Sequence, residues 1–124
     1  MVLIMIYDDF VKKVNALNGK DCFARSNEKN NPYNDFYNLY NPMGAEFDFN
    51  YGTVFMIPFN MISKVTLEYK YTKADFVFGI SNGDPYFVKG KKVYTCCHGT
   101  KEPDLELVAN SFEDFLEKVV KGSN

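Results

Sequence analysis

The stretch from Asp75 to Cys97 constrains the fold more than any other. Asp75-Phe76-Val77-Phe78-Gly79-Ile80 is an apolar run that meets Ser81-Asn82-Gly83-Asp84-Pro85, where Asn-Gly is a strong hairpin signal. Tyr86-Phe87-Val88 then passes through Lys89-Gly90-Lys91 and returns as Val93-Tyr94-Thr95-Cys96-Cys97. Turns this short join antiparallel neighbours, so the segment encodes a three-strand meander. A further strand is predicted over Leu105-Glu106-Leu107-Val108. A sheet of this kind buries at least one face, and the end of the chain supplies a cover. Phe112, Phe115, Leu116, Val119 and Val120 fall at i, i+3, i+4, i+7 and i+8, the apolar stripe of a helix. Asn110 and Glu113 have the spacing of a capping box, and Lys118 and Lys121 lie toward the negative end of the helix dipole.

The first half is less regular. From Ile6 the residues Phe10, Val14 and Leu17 recur at intervals of four, four and three, which predicts an amphipathic helix with Asp8 and Asp9 near its positive end and Gly19 as its stop. Residues 20–50 are punctuated by Asn27, Asn30, Asn31, Asn34, Asn38, Asn41 and Asn50, with Pro32 and Pro42 as further breaks. Phe36, Tyr37, Leu39, Tyr40, Phe47 and Phe49 carry too much buriable surface for a solvated linker, so a short helix near 33–40 and a loop packed on the core are predicted. Val54-Phe55-Met56-Ile57 is a short apolar run. Val65, Leu67, Tyr69 and Tyr71 alternate with Thr66, Glu68 and Lys70, the period of a half-buried strand. Helix, antiparallel hairpins and helix make an α+β arrangement, with residues 1–124 forming one domain.

Charge and cysteine content narrow the function classes. A net charge of −2 and a pI near 5.4 argue against a general polyanion binder, because nonspecific nucleic-acid affinity comes from neutralising phosphates with Lys and Arg. Cys22, Cys96 and Cys97 are an odd number and two are adjacent, which points to reduced thiols and a cytoplasmic home. The opening Met1-Val2-Leu3-Ile4-Met5-Ile6-Tyr7 is apolar but short, lacks a basic flank and runs into Asp8 and Asp9, so it is read as neither signal peptide nor membrane span. At 124 residues the chain buries a core without disulfides or a structural metal.

Few residues have the spacing of a reactive site. Cys96-Cys97-His98 combines metal-ligand and nucleophile types, but on a strand Cys96 and His98 share a face while Cys97 points away, so three ligands do not converge. Cys96 and His98 at i and i+2 also stand roughly 6.5–7 Å apart, beyond the reach of an activating hydrogen bond. No metal, no cofactor and no catalytic residue is therefore expected. Gly79, Gly83 and Gly90 match no phosphate-loop pattern and are read as hairpin glycines at positive φ. Lys64, Tyr69, Lys70, Tyr71 and Lys73 interleave base and aromatic like a nucleic-acid platform, yet Tyr69 and Tyr71 share the expected core face with Val65 and Leu67. Glu102, Asp104 and Glu106 at i, i+2 and i+4 share one side of an extended segment, with Asp84 in the preceding turn. They are read as a solvated face blunting a sheet edge or as an acidic patch that steers a basic protein partner.

From Phe78 to Val120 the sequence resembles the SUKH superfamily, which includes the yeast Smi and Knr cell-wall regulators and many bacterial toxin-immunity proteins. The resemblance rests on Phe78-Gly79-Ile80-Ser81-Asn82-Gly83-Asp84-Pro85-Tyr86-Phe87, on Gly90-Lys91-Lys92-Val93-Tyr94, and on Val108-Ala109-Asn110-Ser111-Phe112-Glu113-Asp114-Phe115-Leu116. It covers about a third of the chain. Residues 20–50 depart from the family pattern, which has an early helix with an L-P-x-x-[YF] start and an N-G-G turn. The resemblance implies a compact α+β domain with a mixed, mostly antiparallel sheet, no enzymatic activity and no cofactor. It further implies an intracellular protein-binding role, in bacteria the neutralisation of a toxin domain that is often a nuclease. Asp84, Glu102, Asp104 and Glu106 are then the residues expected to bind a basic toxin surface. An adaptor without a toxin partner and a small thiol enzyme built on Cys96 or Cys97 with His98 are the alternatives.

Overall fold

In the computed structural model, which describes residues 2–28, 30–99 and 101–122, the chain opens with helix α1 (Val2–Asn18). Tyr7, Phe10, Val11 and Val14 are its buried stripe, and Gly19 at φ +66° ends it. Two details differ from the expected helix. The apolar opening is itself helical, so Asp8 and Asp9 lie inside the helix and no acidic residue occupies its first turn. Leu17, expected on the stripe, is 54% exposed because it extends past the edge of the core. Met1 of the apolar run lies outside the described residues.

The Asn-rich segment folds as β1 (Phe23–Arg25), α2 (Phe36–Leu39) and β2 (Tyr40–Pro42), with β1 and β2 paired antiparallel. Its asparagines act as substitutes for backbone partners. Asn31 Oδ1 accepts from the amides of Tyr33 and Asn34, and Asn41 Oδ1 accepts from the Phe59 amide. The Tyr33, Asn34 and Phe59 amides are satisfied in this way, whereas Asn34 Nδ2 and Tyr37 Oη of the same segment are buried without a partner.

The main sheet begins with β3 (Glu46–Phe49) and β4 (Gly52–Met56), joined through Asn50 and Tyr51, both at positive φ. The expected strand over Val65–Tyr71 is absent: α3 (Ile62–Glu68) and a 3-10 turn over Lys70–Thr72 stand there instead. Ile62 and Val65, three apart, are the buried pair, whereas Leu67 is 69% exposed. Helical spacing thus overrides the alternating pattern, and Thr66 Oγ1 fixes the helix to the sheet by accepting from the Val77 amide at 2.9 Å.

The meander forms as β5 (Phe76–Ser81), β6 (Asp84–Lys89) and β7 (Lys92–Thr95), followed by β8 (Glu106–Ala109). Strand order in the six-stranded sheet is β3-β4-β5-β6-β7-β8, and every pair among the described residues is antiparallel. Asn82-Gly83 and Gly90-Lys91 turn through positive φ as expected. Helix α4 (Phe112–Lys121) closes the chain, capped one residue later than expected: Ser111 Oγ, not Asn110, accepts from the Asp114 amide at 3.0 Å.

The sheet curls around α4. Phe115 stands within 6.0 Å, ring to ring, of Phe47, Phe49, Phe78 and Tyr86 on β3, β5 and β6. Helix α1 packs beside α4, and Tyr7 Oη donates to Glu113 Oε2 at 2.7 Å. One continuous hydrophobic cluster joins both helices, the two-stranded ribbon and the main sheet, so the protein is an α+β domain.

Candidate functional site

Curling brings the β3–β4 turn toward the start of β8 at one end of the sheet. A hollow of about 250 Å³ opens there, lined by Asn50, Tyr51, Asp84, Cys97, Asp104 and Glu106 among others. Three of the four acidic residues singled out in the sequence, Asp84, Asp104 and Glu106, therefore share one hollow. Glu102 is exposed but does not line it. Only Glu106 of the i, i+2, i+4 set lies in a strand, and that strand is at the sheet's edge.

The acids differ in how they are held. Asp84 Oδ1 accepts from the His98 amide at 2.9 Å and lies 2.7 Å from His98 Nδ1. The imidazole lies against Gly83, where an added Cβ would come within 3.0 Å of the ring. Tyr69 Oη donates to the Gly83 carbonyl at 2.7 Å, so the β5–β6 turn is clasped by an imidazole and a phenol. Asp84 is thereby already engaged in structure, and Asp104 and Glu106 supply the charge facing into the hollow.

Tyr51 escaped the sequence reading. It is fully exposed at φ +64°, a conformation that costs a bulky residue energy, and it stands at the mouth of the acid-lined hollow. A signal was present: Asn50-Tyr51-Gly52 separates Phe47 and Phe49 from Val54 and Met56, two apolar alternations around a turn.

The Cys96-Cys97-His98 run is not extended throughout, since β7 stops at Thr95. Cys96 is buried and Cys97 exposed, and the His98 ring is turned to Asp84. Burial pushes the Cys96 thiol above its ordinary range, with the nearby Asp84 and Cys97 charges adding to the rise. A nucleophilic thiol requires the opposite shift. Among the described residues no three His, Cys, Asp or Glu side chains group closely enough to hold a metal ion. A disulfide reagent added to the folded protein at neutral pH should modify Cys97 at the rate of an ordinary thiol, with Cys22 and Cys96 reacting after unfolding. A fast-reacting Cys96 or Cys97 would support the thiol-enzyme reading.

The base-and-aromatic set does not form a stacking platform. Tyr69 and Tyr71 are half-buried, 6.1 Å apart, and packed against the core, while Lys64 lies on α3 and Lys73 follows the 3-10 turn. No helix among the described residues is long and apolar enough to cross a membrane. Set against protein-family models, curated proteins and solved structures, the chain finds no match.

Proposed function

We propose that this chain is a non-enzymatic protein-binding module of the SUKH immunity type, which neutralises a basic toxin domain in the cytoplasm. The convergence of Asp84, Asp104 and Glu106 with the fully exposed Tyr51 around one hollow is the observation that carries this reading. Carboxylates beside an aromatic ring form a receptor for Lys and Arg side chains, since a guanidinium can pair with the acids and lie over the ring. The chain's net negative charge favours the same partner, and its three free thiols suit a reducing compartment. The sequence resemblance supplies the biological role.

The neighbouring gene is expected to encode a toxin with a basic C-terminal domain, and the test pairs that domain with the protein. Co-expression should restore growth, and the two should bind in vitro. The E102K/D104K/E106K variant leaves Asp84 in its clasp with His98; it should slow association about tenfold or more at low ionic strength and flatten the salt dependence. Failure to protect or bind removes the immunity role, and binding that ignores all three reversals removes this hollow as the docking surface.

A further inference from the structure

The two edges of the main sheet are treated differently. On the β3 side, Asn18 Nδ2 from the end of α1 donates to the Glu46 carbonyl at 2.8 Å, so a helix terminus engages the start of that edge. On the β8 side no further strand pairs among the described residues, and that edge borders a groove of about 490 Å³ against α4. The groove is lined by Leu107 and Val108 from β8 and by Asp114, Glu117, Lys118 and Lys121 from α4. Leu107 is 52% exposed there, an apolar side chain beside the charged row of α4.

We propose that a second copy of this chain docks on this edge, β8 against β8, in a two-fold dimer whose sheet continues across the axis. A two-fold axis perpendicular to the sheet makes identical edge strands antiparallel, which is the pairing every strand of this sheet already uses. The charge order on α4 selects a second copy over an unrelated strand. Asp114, Glu117, Lys118 and Lys121 fall at i, i+3, i+4 and i+7, so they form one row with acids toward the N-terminus and bases toward the C-terminus. The axis reverses the second helix, setting Asp114 against the second copy's Lys121 and Glu117 against its Lys118. The row is complementary to itself in that orientation only. The exposed ion pair of Lys121 with Glu117, at 3.4 Å, places both side chains along this row. Leu107 becomes buried at the seam, which supplies the apolar part of the contact.

Sedimentation of the full chain from micromolar to submillimolar concentration reads the result. The wild type should pass from monomer to dimer. E117K and K118E each place like charges across the axis twice, and each should raise the dimer dissociation constant by about five- to thirtyfold. The double variant E117K/K118E restores opposite charges and should return most of that loss. Leu107→Lys alters a half-exposed side chain, so it should abolish the dimer with the circular dichroism spectrum retained. A monomer at every concentration would overturn the proposal. So would a dimer indifferent to the single reversals, or one that the double variant fails to rescue.

Discussion

Replacing Phe115 with alanine is expected to cost about 3–5 kcal/mol, the range for deleting a fully buried aromatic ring. The ring has no solvent exposure and meets Phe49 at 5.0 Å and Phe78 at 5.2 Å, with Phe47 and Tyr86 completing its surround. These partners come from strands far apart in the sequence, so no single neighbour can move in to fill the space without uncurling the sheet. A domain of this size holds only about 5–15 kcal/mol in total, so the variant should lie near the limit of folding. Chemical denaturation followed by circular dichroism measures the loss. Phe55→Ala is the control: that ring is on β4 but 38% exposed, and its removal should cost about 1 kcal/mol or less. Equal losses at the two positions would mean that α4 is not the centre around which the sheet closes.

That contrast also explains which elements were legible in the sequence. The meander and α4 are written in local chemistry: Asn-Gly and Lys89-Gly90-Lys91 dictate tight turns, and the Phe112-to-Val119 stripe has a single period. Segment 65–71 satisfies two periods at once, because Val65, Leu67, Tyr69 and Tyr71 alternate while Ile62, Val65 and Tyr69 are also spaced for a helix. Burial of Ile62 under the sheet, a tertiary fact, decides between them. The ribbon of β1 and β2 was illegible for another reason. Three-residue strands have no period to detect, and their support comes from side chains such as Asn31 and Asn41 bonded to distant or irregular backbone.

The hollow was legible as composition but not as an arrangement. Glu102, Asp104 and Glu106 alternate along the chain, yet Glu102 does not line the hollow, whereas Asp84 arrives from a hairpin formed earlier in the sequence. His98 drew attention as a possible partner for Cys96. Its place is instead beside Asp84, where backbone and imidazole together pin the segment after β7 onto the β5–β6 turn. This clasp sets the position of one wall of the hollow, so the single histidine matters to the site through geometry rather than through chemistry at sulfur.

Gly79 gives the second large effect and corrects the reading of the three meander glycines. Gly83 and Gly90 turn through positive φ, but Gly79 does not; it lies within β5, where the register with β6 shifts. Its requirement is space. A Cβ at this position would stand 2.8 Å from Val54 Cγ1 and 3.5 Å from the Phe55 carbonyl oxygen. Val54 is completely buried and β-branched, so its χ1 is restricted and its methyl has little room to move. Gly79→Ala should therefore cost about 1–3 kcal/mol by overpacking, even though alanine is the better strand residue. Val54→Ala removes the colliding methyl and has its own cavity cost. In the double variant the two losses should be less than additive, with a coupling of about 0.5–3 kcal/mol measured by a denaturation cycle. Strict additivity would show that β4 and β5 do not meet at this distance, and that the glycine serves the backbone rather than the contact.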